Sequence, residues 1–443
     1  MVELIKNYIG ECITDPNGVY SFSDLVNQIN EFKNLLSKKI RKHDRVLIYS
    51  DYTFHSISLL VSLSDLNINI IPLVKTTESE YQEKVEAVKP HLILSFNDNN
   101  KLIIKNSILT SNKEDVFNYV TNKGETGIIL FSSGTTGKPK VMTQNLTKII
   151  SSIKIPRRQK SLRFIILLMF DHIGGINTLF NCLINGSPFI IPQDRSPSLV
   201  ISLINKHQVN ILPTTPTFLN LLMIDESFDS SKLKSLKLIT YGTERMSEVI
   251  LNKLNLNLPK VKLLQTFGTS ETGILKTESK SSNSLFFKII DGEKEFKIVD
   301  DELYLRSKTQ VNGYVNHNND SFSSDGWYAT GDLVETDKDG YIKIIGRKNK
   351  IINVGGLKVL PKEIEDVINS VKGVDESTVF SELNNLVGNI VCAKIFTQLE
   401  NHKELKLKIK SVCRKNLDKY KVPVNLYFEN LEINSRGKKN DRI

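Results

Sequence analysis

The segment that decides the fold is FSSGTTGKPK, residues 131–140, which follows the apolar run TGIIL. Its glycines and hydroxyl residues give a loop rich in backbone and side-chain donors, which suits an anionic ligand. It is not a Walker A loop, because Gly134 and Gly137 are only three positions apart and Lys138 precedes a proline. A loop of this kind after a strand is expected to wrap a triphosphate tail, with Lys138 or Lys140 as the counter-charge. A surface turn is the alternative.

Short apolar runs recur through the first 270 residues, separated by segments of helical length. They are RVLIYS, NIIPLV, LILSF, TGIILF, FIILLMF, VNILPT, LKLITYG and KLLQTFG. This pattern predicts buried parallel strands that alternate with helices. Many of the runs end in Ser, Thr or Gly, so we expect a ligand at the carboxyl edge of the sheet.

The pattern of apolar and polar residues changes twice after this region. Beyond Gly273, the segments FFKIIDGEKEFKIVDDELYLRS and DGYIKIIGR predict a β-rich subdomain with tight turns. From about Lys348 the pattern changes again, because PKEIEDVINSV begins as helices do and a lysine-rich helix follows. We place a domain boundary at 347–350, which predicts an N-terminal domain of residues 1–346 and a C-terminal domain of residues 347–443.

Composition indicates an ordinary globular protein. The chain has 443 residues, of which 40% are hydrophobic, and 59 Lys and Arg stand against 49 Asp and Glu. The basic excess lacks the aromatic interleaving or zinc-ligand spacing of nucleic-acid binders, so we expect no nucleic-acid partner. The apolar runs are too short or too interrupted to span a bilayer, and no secretory signal is evident, so we expect no membrane partner. The four cysteines are far apart, which favours a reducing, cytoplasmic location.

Four further segments accompany the loop in order along the chain. They are YGTERM, QTFGTSETG, DGWYATGDL with GYIKIIGRKNKIINVGGLKVLPKEIE, and RGKKNDR. With FSSGTTGKPK, they resemble the motifs of the adenylate-forming superfamily, which includes acyl- and aryl-coenzyme A ligases, luciferases and peptide-synthetase adenylation domains. The resemblance covers the chain from about residue 20 onward. It implies an α/β fold whose large N-terminal domain has layered sheets and a β-rich subdomain, followed by a small mobile α+β C-terminal domain.

The resemblance also assigns nucleotide-binding residues in this chain. They are Ser132, Ser133, Gly134, Thr135, Thr136, Gly137 and Lys138 in the loop, then Tyr241, Gly242, Thr243, Glu244, Phe267, Gly268, Thr269, Ser270, Asp332 and Arg347. Phe267 replaces the usual tyrosine, which keeps an aromatic face for adenine but loses the phenol hydroxyl. Asp332 matches the aspartate that accepts both ribose hydroxyls. Arg347 matches the arginine that approaches the nucleotide from the hinge.

Other family roles fall on residues outside the adenine and ribose contacts. Glu271 matches the carboxylate that holds the Mg²⁺ bridging the ATP phosphates. Asn349 stands where the family has its Asp or Lys pivot, and asparagine tolerates the backbone angles that pivoting requires. Gly355 and Gly356 match the glycines that admit the pantetheine arm, although a plain turn would also explain them.

The catalytic lysine has two candidates near the end of the chain. The family has a glycine followed by a lysine that reaches between the carboxylate and the α-phosphate. Gly437 and Lys438 fit this pattern, whereas counting back from Arg442 selects Lys439. We favour Lys438, because the preceding glycine allows the backbone to aim the side chain.

The acid pocket is assigned from two segments, MFDHIGGINTLF and PTTPTFLNLL. By resemblance, His172 lies beside the acyl group as a catalytic and substrate-binding residue, and Gly174 and Gly175 leave space for the acid. Thr215 and Phe218 line the same pocket at a helix start. A rival interpretation uses Asp171, because a Phe-Asp pair binds the substrate amine in amino-acid adenylation domains.

These assignments imply an ATP-dependent ligase that adenylates a small carboxylic acid and passes the acyl group to a thiol. The acceptor is coenzyme A or the phosphopantetheine of an acyl carrier protein, and ATP and Mg²⁺ are required. Two alternatives stay open at this point. One is a freestanding amino-acid adenylating enzyme, and the other is a catalytically inactive nucleotide-binding scaffold.

Overall fold

The protein is described here from a computed structural model, which covers residues 1–107, 116–132, 139–292, 294–384 and 388–429. Within these residues the helices are α1 (Val2–Ile5), α2 (Phe22–Leu36), α3 (Phe54–Leu63), α4 (Glu78–Val88), α5 (Leu146–Ser152), α6 (Ile173–Asn185), α7 (Pro197–His207), α8 (Pro216–Ile224), α9 (Glu248–Asn257), α10 (Pro361–Asn369) and α11 (His402–Asn416). Short 3-10 helices lie at Thr121–Lys123, Ser230–Leu233, Lys348–Lys350 and Lys419–Lys421.

The strands divide into those of the first 265 residues and those that follow. The first group is β1 (Glu11–Asp15), β2 (Gly18–Ser21), β3 (Arg45–Tyr49), β4 (Asn69–Leu73), β5 (Leu92–Phe96), β6 (Leu102–Asn106), β7 (Gly127–Ser132), β8 (Lys140–Asn145), β9 (Phe164–Ile165), β10 (Phe189–Ile190), β11 (Ile211–Thr214), β12 (Leu238–Tyr241) and β13 (Lys262–Gln265). The second group is β14 (Phe267–Thr269), β15 (Gly273–Leu275), β16 (Thr277–Ser279), β17 (Phe287–Ile289), β18 (Lys294–Val299), β19 (Glu302–Ser307), β20 (Tyr328–Thr336), β21 (Ile342–Arg347), β22 (Ile352–Val354), β23 (Leu357–Val359), β24 (Glu376–Asn384), β25 (Gly388–Phe396) and β26 (Asn425–Glu429).

Two large sheets carry the first group of strands. One sheet has the order β13-β12-β11-β9-β10-β1-β2 and is parallel except for the β1–β2 hairpin. The other has the order β6-β5-β3-β4-β7-β8, with a parallel centre and an antiparallel strand at each edge. The central strands are buried along nearly their whole length, as sheets covered on both faces require. The predicted parallel strands are therefore confirmed.

One predicted strand is much shorter than its apolar run. FIILLMF contributes only Phe164–Ile165, because its neighbour β10 is itself two residues long. Pro188 and Pro192 flank β10 and lack the N–H that would extend the ladder. The remainder of the run, apart from the half-buried Leu168, is buried beyond the strand and leads into α6.

Helices α2, α3 and α6 lie between the two large sheets. Their apolar side chains form one buried cluster with side chains from both sheets, such as Ile13 of β1, Val46 of β3 and Phe180 of α6. Helix α2 begins with a capping box between Ser21 and Asp24, which satisfies two backbone N–H groups at its start. The layered arrangement fixes the carboxyl ends of β7 and β12 relative to each other.

The β-rich subdomain is a six-stranded antiparallel sheet of order β16-β17-β21-β20-β19-β18. The β18–β19 hairpin turns at Asp300 and Asp301, whose φ angles of 51° and 62° match a two-residue hairpin turn. This sheet confirms the subdomain predicted beyond Gly273. Its strands β20 and β21 carry two of the predicted site residues.

The segment after β21 forms a separate apolar cluster of its own. It contains the β22–β23 hairpin, the three-stranded sheet β24-β25-β26, and helices α10 and α11. Helix α10 starts with a proline at its first position, as its sequence predicts. Polar contacts that join this segment to the preceding residues include three: Lys348 pairs with Glu302 at 2.7 Å, Arg245 pairs with Asp366 at 3.0 Å, and the Asn220 Nδ2 donates to the Asp375 carbonyl at 2.7 Å.

Two absences in the described part of the chain bear on the expectations from sequence. No described helix is long and apolar enough to cross a bilayer. The four cysteines are buried and free, as their spacing predicts.

Candidate active site

The predicted phosphate loop follows the carboxyl end of β7 in the sequence. Ser132, the last residue of β7, pairs with Lys140, the first residue of the antiparallel strand β8. The loop between them is thus held at both ends by one ladder. The predicted residues Ser133, Gly134, Thr135, Thr136, Gly137 and Lys138 lie outside the described residues.

A buried carboxylate lies beside this ladder. Glu271 is 6% exposed, and its Oε1 accepts a 2.8 Å hydrogen bond from the hydroxyl of Tyr314. Burial raises the pKa of Tyr314, and the neighbouring Glu271 charge raises it further, so the phenol stays protonated and donates. The Nζ of Lys140 lies 4.5 Å from the centroid of the same ring. The structure therefore links the end of the loop to Glu271 through Tyr314.

Tyr314 was missed by sequence reasoning. It lies in NGYVN, outside every motif that carries the resemblance, and an isolated tyrosine gives no signal of its own. Its position is fixed by tertiary contacts. The Val311 N–H donates to the Glu271 carbonyl at 2.9 Å, and the Val315 N–H donates to the Val141 carbonyl at 2.8 Å.

The motif QTFGTSETG forms a hairpin. Strands β14 and β15 pair across the turn that contains Ser270 and Glu271. A buried glutamine joins this turn to β8, since the Gln144 Nε2 donates to the Ser270 carbonyl at 2.6 Å. Thr269 accepts from the Thr272 N–H at 3.1 Å and closes the turn.

The aromatic residue of this motif packs inward. Phe267 is 8% exposed and lies in an apolar cluster with Phe287, at 5.8 Å between ring centroids. A Cβ on the next residue, Gly268, would lie 2.6 Å from the Gly273 carbonyl oxygen, so the hairpin needs glycine there. The role of Phe267 as an adenine platform stays a prediction.

In YGTERM, the side chains of Tyr241 and Glu244 have structural roles, and the backbone at Gly242 packs against Thr266 of QTFGTSETG. Tyr241 is 1% exposed within the core, and burial raises its pKa. A Cβ on Gly242 would lie 2.8 Å from the Thr266 carbonyl oxygen, and Thr243 has a positive φ of 66°. The Glu244 carboxylate accepts from both the N–H and the hydroxyl of Thr217, at 3.2 and 2.6 Å. Glu244 therefore anchors the start of α8.

Asp332 and Arg347 face each other across β20 and β21. The Arg347 Nε lies 2.7 Å from the Asp332 Oδ1, which is on a residue only 4% exposed. Burial raises the pKa of Asp332 above its ordinary value, Arg347 opposes this rise, and the Glu271 and Glu302 charges add to it. The ring of Phe322 packs against Tyr314, which donates to Glu271, and against Tyr328 of the strand that carries Asp332, so the two motifs lie near each other.

Glu302 was also missed by sequence reasoning. Its Oε1 accepts from the Gly331 N–H at 3.1 Å, and its Oε2 pairs with the Lys348 Nζ at 2.7 Å. It lies in an acidic turn between two strands, where a solvated charge is the ordinary interpretation. Instead it joins the strand that carries Asp332 to the 3-10 helix that contains Asn349.

His172 stands immediately before the first turn of α6. Its Nε2 lies 3.9 Å from the Oδ1 of Asp171, a residue that is 4% exposed. The same Asp171 oxygen has no hydrogen-bond partner among the described residues. Gly174 and Gly175 form the first turn of α6, and the hydroxyl of Tyr52 approaches Gly175 closely.

Gly175→Ala is expected to destabilise the protein by about 1–3 kcal/mol, because an overpacked core forces shifts of this size. The added Cβ would lie 2.0 Å from the Met169 carbonyl oxygen and 2.7 Å from the Tyr52 hydroxyl. Urea unfolding measures the effect. Gly174→Ala is the matched control, since its Cβ meets only a Leu168 methyl group at 3.3 Å. Equal stabilities of the two variants would contradict the packing argument.

The remaining predicted residues lie in ordinary structural positions. Thr215 caps α8 by accepting from the Phe218 N–H at 3.1 Å, and Phe218 is 5% exposed in the core. Gly355 and Gly356, with φ angles of 56° and 87°, form the two-residue turn of the β22–β23 hairpin. Lys438 and Lys439 lie outside the described residues.

A family model described as AMP-binding enzyme matches residues 10–315, more than half of the chain. This chain belongs to the AMP-binding enzyme family. The match spans the phosphate loop, the YGTERM segment and Glu271, and the adenylate-forming superfamily inferred from sequence is therefore confirmed. The matched residues end before Asp332 and Arg347, whose roles rest on geometry and resemblance.

Relatives of known activity lie within the same family. A 2-succinylbenzoate–CoA ligase from Bacillus pumilus (strain SAFR-032) is 24% identical over 442 residues, covering 92% of this chain and 89% of that protein. A fatty acid–[acyl-carrier-protein] ligase, MmaC, from Mycobacterium marinum (strain ATCC BAA-535 / M) is 27% identical, covering 60% of this chain and 57% of that protein. The activity class of this chain is accordingly an AMP-forming ligase that joins a carboxylic acid to a thiol.

Among solved structures, the anthranilate CoA ligase AuaEII in complex with anthranoyl-AMP superposes with a TM-score of 0.81. The sequences are 18% identical, and the match covers 99% of this chain and 95% of that one. The similarity shows that this chain has the adenylate-forming enzyme fold, as its sequence motifs imply.

Proposed function

We propose that this enzyme condenses a small carboxylic acid with ATP and transfers the resulting acyl group to the thiol of coenzyme A or of a carrier-protein phosphopantetheine. The observation that carries the proposal is the buried Glu271, held by Tyr314 next to the end of the predicted phosphate loop. Relatives named for coenzyme A and for acyl carrier protein support both acceptors.

The chemistry has two steps. A carboxylate oxygen attacks the α-phosphorus of ATP, a new P–O bond forms, and pyrophosphate leaves with the electron pair of the broken bond. The sulfur of a thiol then attacks the acyl carbon, a C–S bond forms as the C–O bond to AMP breaks, AMP leaves with that electron pair, and the thiol proton passes to solvent. No protein nucleophile is needed, so the residues act by placing two anions together and neutralising the charge that develops.

The Glu271 carboxylate fits Mg²⁺, because it would supply one oxygen ligand to an ion whose other ligands are also oxygens. Among the described residues there is no cluster of three His, Cys, Asp or Glu side chains that could hold a metal by itself. Since Tyr314 occupies Oε1, Glu271 would offer Oε2, and phosphates and water would complete the shell, as Mg²⁺ sites usually have it. When bound, the ion neutralises phosphate charge.

We assign the ribose to Asp332. Its burial and its pairing with Arg347 hold the carboxylate in one orientation. Asp332→Asn is expected to raise the KM for ATP by about ten- to a hundredfold, because hydrogen bonds to charged groups contribute about 1.5–3 kcal/mol. The kcat should change little, since the ribose is bound alike before and during the reaction.

ATP–pyrophosphate exchange at varied ATP concentration measures this effect. The KM for the acid is the internal control, because Asp332 is not assigned to the acid pocket. A KM for ATP that stays within twofold of the unmodified enzyme would contradict the assignment.

We propose that residues 347–443 form the mobile C-terminal domain and carry the catalytic Lys438. The Lys348–Lys350 helix directly follows β21, and the polar contacts of Arg245 and Asn220 with the later segment can be exchanged for water when it rotates. Gly355 and Gly356, exposed at a hairpin tip, would face the pantetheine after rotation.

His172 is assigned to the acid pocket, with Gly174 and Thr215 beside it. A second candidate function is amino-acid adenylation. The observation that favours it is the buried Asp171 oxygen without a hydrogen-bond partner among the described residues, since a substrate ammonium group would satisfy it.

The test is ATP–pyrophosphate exchange across aliphatic, aryl, hydroxy and amino acids, followed by trials with coenzyme A and with a phosphopantetheinylated carrier protein. Exchange with carboxylic acids that lack an amine supports the proposal. Exchange restricted to amino acids and lost in Asp171→Asn supports the second candidate. Nucleotide binding without exchange on any acid would overturn both.

We also propose that the enzyme works in the cytoplasm. The support is chemical: its four cysteines are buried thiols with no disulfide, as a reducing compartment maintains them.

A further inference from the structure

A cavity borders the candidate active site on the side away from the predicted phosphate loop. It has a volume of about 310 Å³ and opens between the start of α5 and the end of β19. Its walls include Asn145, which pairs with Gly127 at the opposite end of β7 from Ser132. A six-residue antiparallel strand separates its ends by about 17 Å. The cavity is therefore distinct from the site assigned to the triphosphate.

The walls of this cavity are strongly basic. They include four cationic side chains and no carboxylate. The cations are Lys123, Lys148, Arg306 and Lys308. The three lysines have no ion pair in the described parts of the chain, whereas Arg306 is paired with Glu295 at 2.5 Å. Two further acidic residues are near: Glu125, which accepts from the Asn145 Nδ2 at 2.7 Å, and Asp325, which precedes the wall residue Gly326 and whose carbonyl accepts from Arg306 at 3.4 Å.

Such a concentration of like charge requires a reason. Cations in a concave wall repel one another and together direct a positive field into the cavity; Lys123 and Lys308 are exposed, and Lys148 and Arg306 are half-buried. Some surface lysines elsewhere in this protein are matched to acids, as Lys280 is to Asp337 and Asp339. Three unmatched lysines around one cavity instead favour an anion that supplies the missing charge.

The volume of the cavity indicates the size of that anion. Small-molecule sites usually have volumes of about 300–1,000 Å³, so this cavity lies at the lower end of the range. Ammonium groups bind phosphate as point charges without a fixed fork geometry. We propose that this cavity binds a small phosphorylated metabolite with at least two anionic groups, at a site separate from the nucleotide.

The cavity adjoins the residues that hold Glu271. Val311 lines the wall, and its N–H donates to the Glu271 carbonyl at 2.9 Å. Three residues later, Tyr314 donates to the Glu271 carboxylate. An anion bound here would thus lie next to Val311, which is hydrogen-bonded to the backbone of Glu271 in the candidate active site.

The single tryptophan of the chain provides a local reporter. Trp327 follows Gly326, which lines the cavity, and the Arg306 guanidinium lies 4.7 Å from the centroid of its ring. The experiment titrates fructose 1,6-bisphosphate, inorganic phosphate and, as a neutral control, fructose. Trp327 fluorescence is followed at physiological ionic strength, with the nucleotide site filled by Mg²⁺ and α,β-methylene-ATP.

The expected result is a saturable change with the bisphosphate, weaker binding of phosphate and no change with fructose. Lys148→Gln combined with Lys308→Gln should weaken the bisphosphate at least about tenfold, as loss of charged hydrogen bonds predicts. Lys38→Gln combined with Lys39→Gln removes the same charge from exposed positions in another part of the protein and should have no effect.

Exchange activity without the probe reports that both double variants are folded, because none of these lysines is assigned to catalysis. Three results would overturn the proposal: no saturable signal with the bisphosphate, equal weakening in both double variants, or an unchanged affinity in Lys148→Gln combined with Lys308→Gln. None of these depends on which acid the enzyme activates, so the outcome is independent of the proposed function.

Discussion

Glu271→Gln is expected to lower the rate of ATP–pyrophosphate exchange by about 10²–10³-fold, the usual effect of losing one preorganised electrostatic contact in a buried site. Glutamine keeps an oxygen that accepts from the Tyr314 hydroxyl, so the fold of the turn is retained. It removes the negative charge that would hold Mg²⁺ against the phosphates. Exchange at saturating acid, measured over a range of Mg²⁺ concentrations, tests this expectation.

Tyr314→Phe is the matched control for this prediction. It removes the hydrogen bond at 2.8 Å while leaving the Glu271 charge in place. A charged hydrogen bond contributes about 1.5–3 kcal/mol, so a loss of about tenfold is expected if Tyr314 positions Glu271. A requirement for more Mg²⁺ would distinguish positioning from a general loss of stability. If Glu271→Gln lowers exchange less than tenfold, the carboxylate does not have the assigned role.

Lys438→Ala is expected to reduce adenylate formation by about 10²–10³-fold, because a cation between two reacting anions stabilises charge that develops in the transition state. Binding of ATP should remain, since its adenine, ribose and phosphate contacts are assigned to residues of the N-terminal part. Thiol transfer from chemically prepared acyl-adenylate should also remain. Exchange, equilibrium binding of ATP and transfer from the acyl-adenylate are the three measurements.

Lys439→Ala is the neighbouring control and decides between the two candidate lysines. The expected result is near-normal exchange in this variant. A large loss in Lys439→Ala together with normal exchange in Lys438→Ala would move the assignment by one residue. Normal exchange in both variants would mean that neither lysine contacts the reacting atoms.

Much of the fold followed from local patterns. The apolar runs RVLIYS and NIIPLV predicted buried strands, and the structure places them side by side in the centre of one sheet. The same reasoning overestimated FIILLMF, because strand length depends on the neighbour β10 and its flanking prolines. A run of apolar residues indicates that the segment is buried. A β-strand also requires a neighbouring strand whose N–H groups are free to form hydrogen bonds.

The residues of the candidate site also divide into those whose role the sequence indicated and those whose role it did not. The family resemblance assigned Glu271 and Asp332 to one site, and that assignment stays a prediction. Motifs did not indicate that Tyr241 and Phe218 are core side chains, or that Glu244 anchors a helix. Such roles depend on which face of a strand or helix meets the core, and spacing within a motif does not specify it.

The sequence by itself determined the family, the layered α/β architecture and the order of the motifs, because these depend on apolar periodicity, turn residues and chemically constrained side chains close together in the chain. Only the tertiary structure decided the partners of those side chains. Tyr314 reaches Glu271 from 43 positions away, and Lys148 and Lys308 surround one cavity from two different subdomains. Contacts at such separations arise when sheets and helices pack, and they leave no periodic or local signature in the chain.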